Sequence, residues 1–381
     1  MRFILIKILN ILSKRIISKY NPVIIGITGS FGKSSAKKAI YEVLKTKYSV
    51  SCNKSIYRND LGIPLAIIGS SSGGHSLLGW MHVFARAIRI IFGSEKYVDI
   101  LILEMDVNRP GDMKKMLNIV KPNIGIFTGV GAFPSHLKYF KNEKHIAKEK
   151  SLLIKSLGKK DLAILNFDDK CIREMIDSVR SKIVAYGFDK KCTLMAEEIF
   201  LSDRKWKVED GSIGMSFKIS YNGTTVPFRL PYALGRVQIN ATLVAAAVGI
   251  HFNCNLLEMS KIFSKYQPLA GRMKLIKGMN GSMIIDDTFN ANPSSMIIAL
   301  ETLGKLDLVR KVAILGDMLE LGEYCEKGHK EVGEKVFQSA DLLFTLGVRS
   351  KIISDEAEKC GMNKENIFHF GERNELIERL K

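Results

Sequence analysis

The residues best suited to chemistry stand close to the N-terminus, where Gly26, Gly29, Gly32, Lys33 and Ser34 spell GxxGxxGKS within VIIGITGSFGKSSAKKAI. Val23, Ile24 and Ile25 form a short apolar run suited to a buried strand, Gly26 to Gly32 is a glycine-punctuated turn, and Ser35 to Ile40 opens a helix. Strand, loop and helix start follow in the order that brings backbone N–H groups onto phosphate oxygens at the positive end of a helix. Lys33 adds a point charge there, and the Ser34 hydroxyl is an oxygen of the kind Mg²⁺ takes. The strict GxxxxGK[ST] spacing is not met, because Ile27 stands at its first glycine. The candidate nucleotide contacts are Thr28, Gly29, Ser30, Gly32, Lys33, Ser34 and Ser35. A plain glycine-rich turn before a helix is the competing reading.

Acidic residues that could meet the metal come next. VDILILEMDVNRPGDM, residues 98–113, reads as a fully apolar strand that delivers Glu104 and Asp106 at its carboxyl end. In open α/β sheets ligands gather at the carboxyl ends of strands, so these carboxylates either face the P-loop's magnesium or are solvated strand ends. His136 falls in a loop and Lys150 on a helical stretch, Ile146 to Ile154. Taken alone, they read as a surface histidine and a solvated helix lysine.

The elements that must position these groups alternate in type. Asn123–Thr128 and Leu162–Asn166 are further buried strands, and Trp80–Phe92 reads as a helix with basic residues on one side. The alternation predicts a doubly wound, mostly parallel sheet. Residues 187–231 change to alternating apolar and polar positions around Asn222-Gly223, a hairpin signal, so a small β excursion is expected there. Ala241–Gly249 restores a helix, and QPLAGRMK, Gln267 to Lys274, reads as a linker. Beyond it, apolar segments at Met283–Ile285, Val312–Leu315, Leu342–Leu346 and Ile367–Phe370 alternate with helices, which predicts a smaller, Rossmann-like α/β unit. The division is therefore 1–20, a basic helix; 21–267, a central P-loop ATP-binding domain; and 268–381, a smaller C-terminal domain.

In residues 1–20, Ile4, Leu5, Ile8, Ile11, Leu12 and Ile16 recur at helical spacing beside a polar stripe of Lys7, Asn10, Lys14 and Ser18. The stretch is too short and interrupted to span a bilayer and has no A-x-A cleavage site. It either lies on anionic lipid or packs on the protein's own core.

A chain of 381 residues, 46% hydrophobic and 25% charged, can bury a sizeable core. Its net charge of +18 implies anionic partners, nucleotides or acidic lipid among them. The lysines are spread along the chain instead of forming one aromatic-interleaved patch, which argues against nucleic acid. Six scattered cysteines without CxxC spacing indicate neither zinc nor a disulfide framework, and a reducing cytosol fits.

Together, ITGSFGKSS, NDLGIPL, LEMDVNRPGDM, SHLKYF followed by IAKEKSLLI, LNFDD, LAGRM, IIDDTFNANPSSM and LGDMLELGE with His329 after it resemble the Mur ligase family, from about Val23 to about Arg373. The closest branch is the one that adds D-Ala-D-Ala to a UDP-N-acetylmuramoyl tripeptide. The resemblance implies ATP and Mg²⁺, with Lys33 and Ser34 on phosphates and metal, and Glu104 and His136 as metal ligands. It implies a carbamylated Lys150 as an anionic oxygen donor, a phosphate contact at Arg272 and a ribose contact at Asp287. Asn290 and Asn292 would lie near ATP or the incoming dipeptide. Relative to the family, the N-terminal UDP-sugar domain and the final KGS strand are expected to be missing. Asp106 replaces a glycine, Arg58 an asparagine, Val237 a histidine and Ala241 an asparagine.

The reading is an ATP-dependent amide ligase of peptidoglycan precursor synthesis. It would activate a muramyl-peptide carboxylate as an acyl phosphate and add an amine such as D-Ala-D-Ala. A cytoplasmic monomer is expected, peripheral to the inner membrane face through residues 1–20. The competing class is a non-catalytic ATP-binding scaffold at the membrane, against which the retained Lys33, Glu104, His136 and Lys150 argue. A P-loop kinase or GTPase is a further alternative, and the absence of an NKxD motif weighs against the GTPase.

Overall fold

The computed structural model describes residues 2–53, 61–94, 96–131, 137–201 and 213–380. The first helix, α1 (Arg2–Tyr20), leads into β1 (Val23–Thr28), whose apolar residues are buried on both faces as a central parallel strand requires. The chain continues through α2 (Lys33–Leu44), β2 (Val50–Cys52), α3 (Gly62–Ile68), α4 (Leu77–Phe92) and β3 (Ile100–Glu104). It returns across β1 through α5 (Asp112–Leu117), β4 (Ile124–Phe127), α6 (Glu143–Lys155), β5 (Leu162–Asn166), α7 (Lys170–Arg173) and β6 (Lys182–Gly187). The strands β2-β3-β1-β4-β5-β6 run parallel, with β1 between β3 and β4. Because the chain leaves β1 in one direction and comes back on the other side, a crevice opens at the carboxyl ends of β1 and β3.

The β excursion extends this sheet. β7 (Leu194–Leu201) pairs parallel with β6, and β8 (Gly214–Tyr221) and β9 (Thr224–Pro231) follow antiparallel, giving nine strands in all. Asn222 and Gly223 both have positive φ, 47° and 79°, the two-residue turn whose twist matches a hairpin. Two helices, α8 (Arg236–His251) and α9 (Leu256–Phe263), then cover the face already occupied by α2. The alanine run of α8 lets it pack closely along α2. The other face is covered by α1, α3, α4, α5 and α6.

The second unit departs from the expected pattern at Met283–Ile285. Instead of joining a parallel sheet, β11 (Met283–Asp286) pairs antiparallel with β10 (Lys274–Lys277) as a two-stranded ribbon. The cause is local: Leu275 N–H bonds to the Tyr232 carbonyl at 2.9 Å, hooking β10 onto the end of the nine-stranded sheet. The parallel sheet of this unit has three strands, β12 (Val312–Gly316), β13 (Leu342–Leu346) and β14 (Ile367–Phe370). They are accompanied by α10 (Pro293–Gly304), α11 (Cys325–Ser339), α12 (Lys351–Lys359) and α13 (Arg373–Leu380). Ile213, Leu234, Met273, Leu275 and Leu306 form a small apolar cluster that ties the linker region to α10.

The helix α1 packs on the core. Leu9, Ser13 and Ile16 are fully buried against α3 and α4. The Lys19 ammonium donates to the carbonyls of Ile90, Ile91 and Gly93 at 3.2, 2.9 and 2.6 Å, closing the carboxyl end of α4 as a cation there should. The apolar stripe read from spacing divides in two: Leu5, Leu12 and Ile16 turn inward with Leu9, which the stripe had not included, while Ile4, Ile8 and Ile11 face outward. Leu9→Ala is expected to lower unfolding free energy by about 2–5 kcal/mol, the cost of a buried leucine truncation. Denaturant titration checks this, and an unchanged midpoint would mean that α1 is not part of the fold.

Candidate active site

At the carboxyl end of β1 the backbone must turn sharply around the phosphate loop. Gly29 has φ 147°, and a Cβ there would lie 2.0 Å from Thr128 Oγ1, so only glycine fits. Thr128 holds the loop from β4, donating to the Phe31 carbonyl at 2.5 Å, and Ser30 N–H bonds to the Gly129 carbonyl at 2.7 Å. Gly32, with φ 76°, starts α2, so Lys33, Ser34 and Ser35 form its first turn. The Thr28 and Ser30 hydroxyl oxygens are buried with no hydrogen-bond partner, polar atoms in a glycine cradle that an anionic ligand would satisfy.

The parallel register sets Glu104 beside Ile27, one residue before the loop. Its side chain is fully buried. Ser34 Oγ donates to it at 3.1–3.2 Å, and Lys37 Nζ lies 3.1 Å from Oε2. Asn53 fixes the backbone of the same residue from both sides, Nδ2 to Glu104 O at 2.9 Å and Glu104 N to Asn53 Oδ1 at 2.9 Å. Lys33 Nζ donates to the Gly29 carbonyl at 2.7 Å and pairs with Asp106 at 3.1 Å. Lys150 reaches the same place from α6, donating to Gly29 O at 3.0 Å with Asp106 Oδ1 at 3.8 Å.

Lys150 is therefore not the solvated helix lysine that its position alone suggests. Burial, and then the neighbouring Lys33 charge, push its amine down to about 7, against the pull of Asp106, Glu149 and Glu104. His136 lies outside the described residues, as does Arg58. Among the described residues no group of three His, Cys, Asp or Glu side chains could hold a metal. The Ser34 hydroxyl beside the Glu104 carboxylate is nonetheless a hard oxygen pair, and Mg²⁺ is ordinarily completed by substrate phosphates and water.

The cleft above the loop is closed from the other side by Arg272, Asp287, Phe289, Asn290 and Asn292. The Arg272 guanidinium lies 3.9 Å over the Phe289 ring, and its backbone carbonyl accepts from Gln238 Nε2 at 2.6 Å. Asp287 Oδ1 accepts from Met273 N–H at 3.1 Å, supporting a residue with φ 53°. Burial pushes the Asp287 carboxyl up to about 7, against the pull of Arg272. Asn292 caps α10, its Oδ1 accepting from Ser295 N–H at 3.0 Å, so that oxygen is committed to the helix. Asn290 lines the cleft while its Oδ1 accepts from Ala291 N–H at 3.0 Å. A narrower pocket adjoins the loop, lined by Phe31, Val244, Val237 and Ala241. Two further lining residues, Tyr186 and Asn240, each carry a buried oxygen with no partner. His329 is structural: Nε2 accepts from Met318 N–H at 3.2 Å and Nδ1–H donates to Cys325 O at 2.7 Å, fixing a neutral imidazole.

Lys37, Asn53, Gln238 and Phe289 are the site residues that sequence reasoning missed. Only Lys37 carried a signal, since it lies one turn beyond Lys33 on the P-loop helix and so faces the same way.

The pattern described as Mur ligase middle domain matches residues 27–249, and that described as Mur ligase, glutamate ligase domain matches residues 271–381. The chain belongs to the Mur ligase family. It is 30% identical over 364 residues to the UDP-N-acetylmuramoyl-tripeptide–D-alanyl-D-alanine ligase of Buchnera aphidicola, covering 95% of this chain and 69% of that protein. The ligase of the same name from Bacillus subtilis is 26% identical over 372 residues, covering 97% and 72%. In fold, the chain superposes with TM-score 0.78 on MurF of Thermotoga maritima in complex with ADP, at 20% identity over 98% of this chain and 77% of the other. MurF of Acinetobacter baumannii gives the same score at 21% identity, covering 98% and 72%.

The depressed Lys150 sets a pH dependence. Between pH 7 and the ordinary lysine value of 10.5, the folded protein holds this amine neutral while the unfolded chain binds a proton. Its contribution to stability therefore rises with pH across that window, by up to about 1.4 kcal/mol per unit. Denaturation midpoints across the window should climb less steeply in Lys150→Met than in the natural sequence. Equal slopes would contradict a buried, neutral Lys150.

Proposed function

We propose that this chain is an ATP-dependent amide ligase that activates the carboxylate of a muramyl peptide and joins it to an amine such as D-Ala-D-Ala. The observation that carries the reading is the convergence of Lys33, Ser34, Glu104 and Lys150 at one end of the sheet in a chain of this family.

The peptide carboxylate oxygen attacks the γ-phosphorus of ATP, the bond to the β,γ-bridging oxygen breaks, and ADP leaves with that electron pair. The amine lone pair then attacks the acyl carbon of the acyl phosphate. Inorganic phosphate departs from the tetrahedral intermediate and the nitrogen loses a proton. Both steps gather negative charge on phosphoryl oxygens, so positioning and electrostatics do most of the work. Lys33 and the amides of residues 29–35 bind the phosphates at the start of α2. Arg272 reaches the cleft from the far side, where the guanidinium suits a phosphate, and Asp287 holds the Met273 backbone that follows it. In this reading Asp287 also meets the ribose, and Asn290 and Asn292 line the path of the nucleotide or dipeptide. The pocket beside Tyr186 and Asn240 suits a purine.

Mg²⁺, held by Ser34 and Glu104 and, in this reading, His136 and Lys150, would neutralise phosphate charge and orient the γ-phosphoryl group. Lys150 as a carbamate fits its environment. A buried amine with a value of about 7 is about half neutral at pH 7, so a lone pair is at hand to add to CO₂ with release of one proton. The two domains meet near residue 268, with the site between them. The same reading places the chain on the cytoplasmic side as a monomer, with residues 1–20 at the inner membrane face.

The test is phosphate release with ATP, Mg²⁺ and a panel of muramyl peptides, with and without D-Ala-D-Ala. Release should require both acceptor and amine, and Lys33→Ala should lower it by about 10²–10³-fold, as expected for a charge that acts in the transition state. An unchanged rate in Lys33→Ala would remove the P-loop from the mechanism. ATP binding without release, for any acceptor, would favour the scaffold.

A further inference from the structure

The surface helix α4 carries apolar residues on two opposite sides, with His82, Arg86 and Arg89 between them. Val83, Ala87 and Ile90 are buried against the sheet, as a helix covering a parallel sheet should be. On the opposite side, Leu77, Leu78, Met81, Ile88 and Phe92 fall on one face of the helix and are 50–77% exposed. Contiguous exposed apolar surface of this kind marks an interaction site. The partner must therefore accept a row of large aliphatic and aromatic side chains.

Charge selects that partner. Residues 61–94 contain no Asp or Glu, and neither do residues 1–41. The exposed flank of α4 carries His82 and Arg89. α1 packs beside it and is joined to its carboxyl end through Lys19. The outer side of α1 mixes Ile4, Ile8 and Ile11 with exposed Lys7, Lys14 and Arg15. A second copy docked face to face would oppose two positive surfaces, which disfavours self-association. An anionic bilayer supplies negative headgroups above and hydrocarbon beneath, matching a rim of cations around apolar side chains. No described helix is long and apolar enough to cross a membrane, so the face would lie in the interface.

We propose that the outward apolar face of α4 inserts into an anionic lipid surface, with the cations of α1 serving as the electrostatic rim. This deepens the reading that residues 1–20 meet the membrane, and rests on it for the cations, but moves the apolar contact to α4. The observation behind it is independent of the ligase activity.

The experiment is vesicle co-sedimentation of the full chain at low and high salt, with phosphatidylglycerol–phosphatidylethanolamine vesicles and with phosphatidylcholine alone. The natural sequence should bind the anionic vesicles and retain part of that binding at high salt, because apolar insertion is not screened. The triple change Leu78→Glu, Met81→Glu and Phe92→Glu should lower the bound fraction at least tenfold at high salt while ADP binding, the check on folding, is unchanged. Lys7→Ser, Lys14→Ser and Arg15→Ser together should lower binding at low salt only. A second readout needs no change on the docking face: in a Trp206→Phe chain, whose one remaining tryptophan is Trp80 on α4, acyl-brominated phosphatidylglycerol should quench the emission.

Loss in the α1 variant with none in the α4 variant, and no quenching, would overturn the α4 proposal while leaving residues 1–20 as the contact. A natural chain that stays in the supernatant with every vesicle would overturn both. Concentration-dependent dimerisation abolished by the α4 changes would assign the face to a second copy instead.

Discussion

The structure depends on one buried constraint: the Glu104 carboxylate, sealed from water at the end of β3, has to be matched by groups that arrive from elsewhere in the chain. Ser34 and Lys37 reach it from α2, and Asn53 grips its backbone from the loop after β2. An ionised carboxylate without such partners would cost several kcal/mol. The same requirement fixes the register of β3 on β1 and holds the start of α2 against the sheet. Beside it, Lys33 and Lys150 share the Gly29 carbonyl and the Asp106 carboxylate. Three lysines meet two carboxylates, and the imbalance is relieved in part by the lowered affinity of Lys150 for its proton. An anionic polyphosphate would relieve it from outside.

Asp106 gives this site a character of its own. Where the family resemblance leads one to expect a glycine, a carboxylate stands between the P-loop lysine and Lys150. It lies 3.1 Å from the Lys33 nitrogen and 3.8 Å from that of Lys150. The face built by Arg272, Asp287 and Phe289 is tied to the central unit by the β10 hook and the apolar cluster around Met273, so the two sides of the cleft are held in register by packing as well as by the chain.

Much of this was legible in the sequence where the signal is local. The strand, glycine turn and helix start around Lys33, the Glu104 strand end and the Asn222-Gly223 hairpin all follow from short-range chemistry. What could not be read is long-range. Lys37 and Asn53 find their partners 16 to 67 residues away, and Asn53 sits in a polar loop with no periodicity to place it. Lys150 on helical spacing alone looks solvated, because spacing does not say that its face turns into the sheet end. Met283–Ile285 has the pattern of a buried strand, yet β10 claims it as a ribbon partner. The stripe on α1 was visible, but its division into an inner and an outer apolar side depends on where α3 and α4 lie.

The most direct measurement is calorimetric binding of ADP with and without Mg²⁺ to the natural sequence and to Glu104→Gln. If the carboxylate enclosed by Ser34 and Lys37 is the seat of the metal, Mg²⁺ should tighten ADP binding to the natural chain by about tenfold or more, equivalent to about 1.4 kcal/mol, and should give no such gain in Glu104→Gln. An equal Mg²⁺ gain in both proteins would contradict the account.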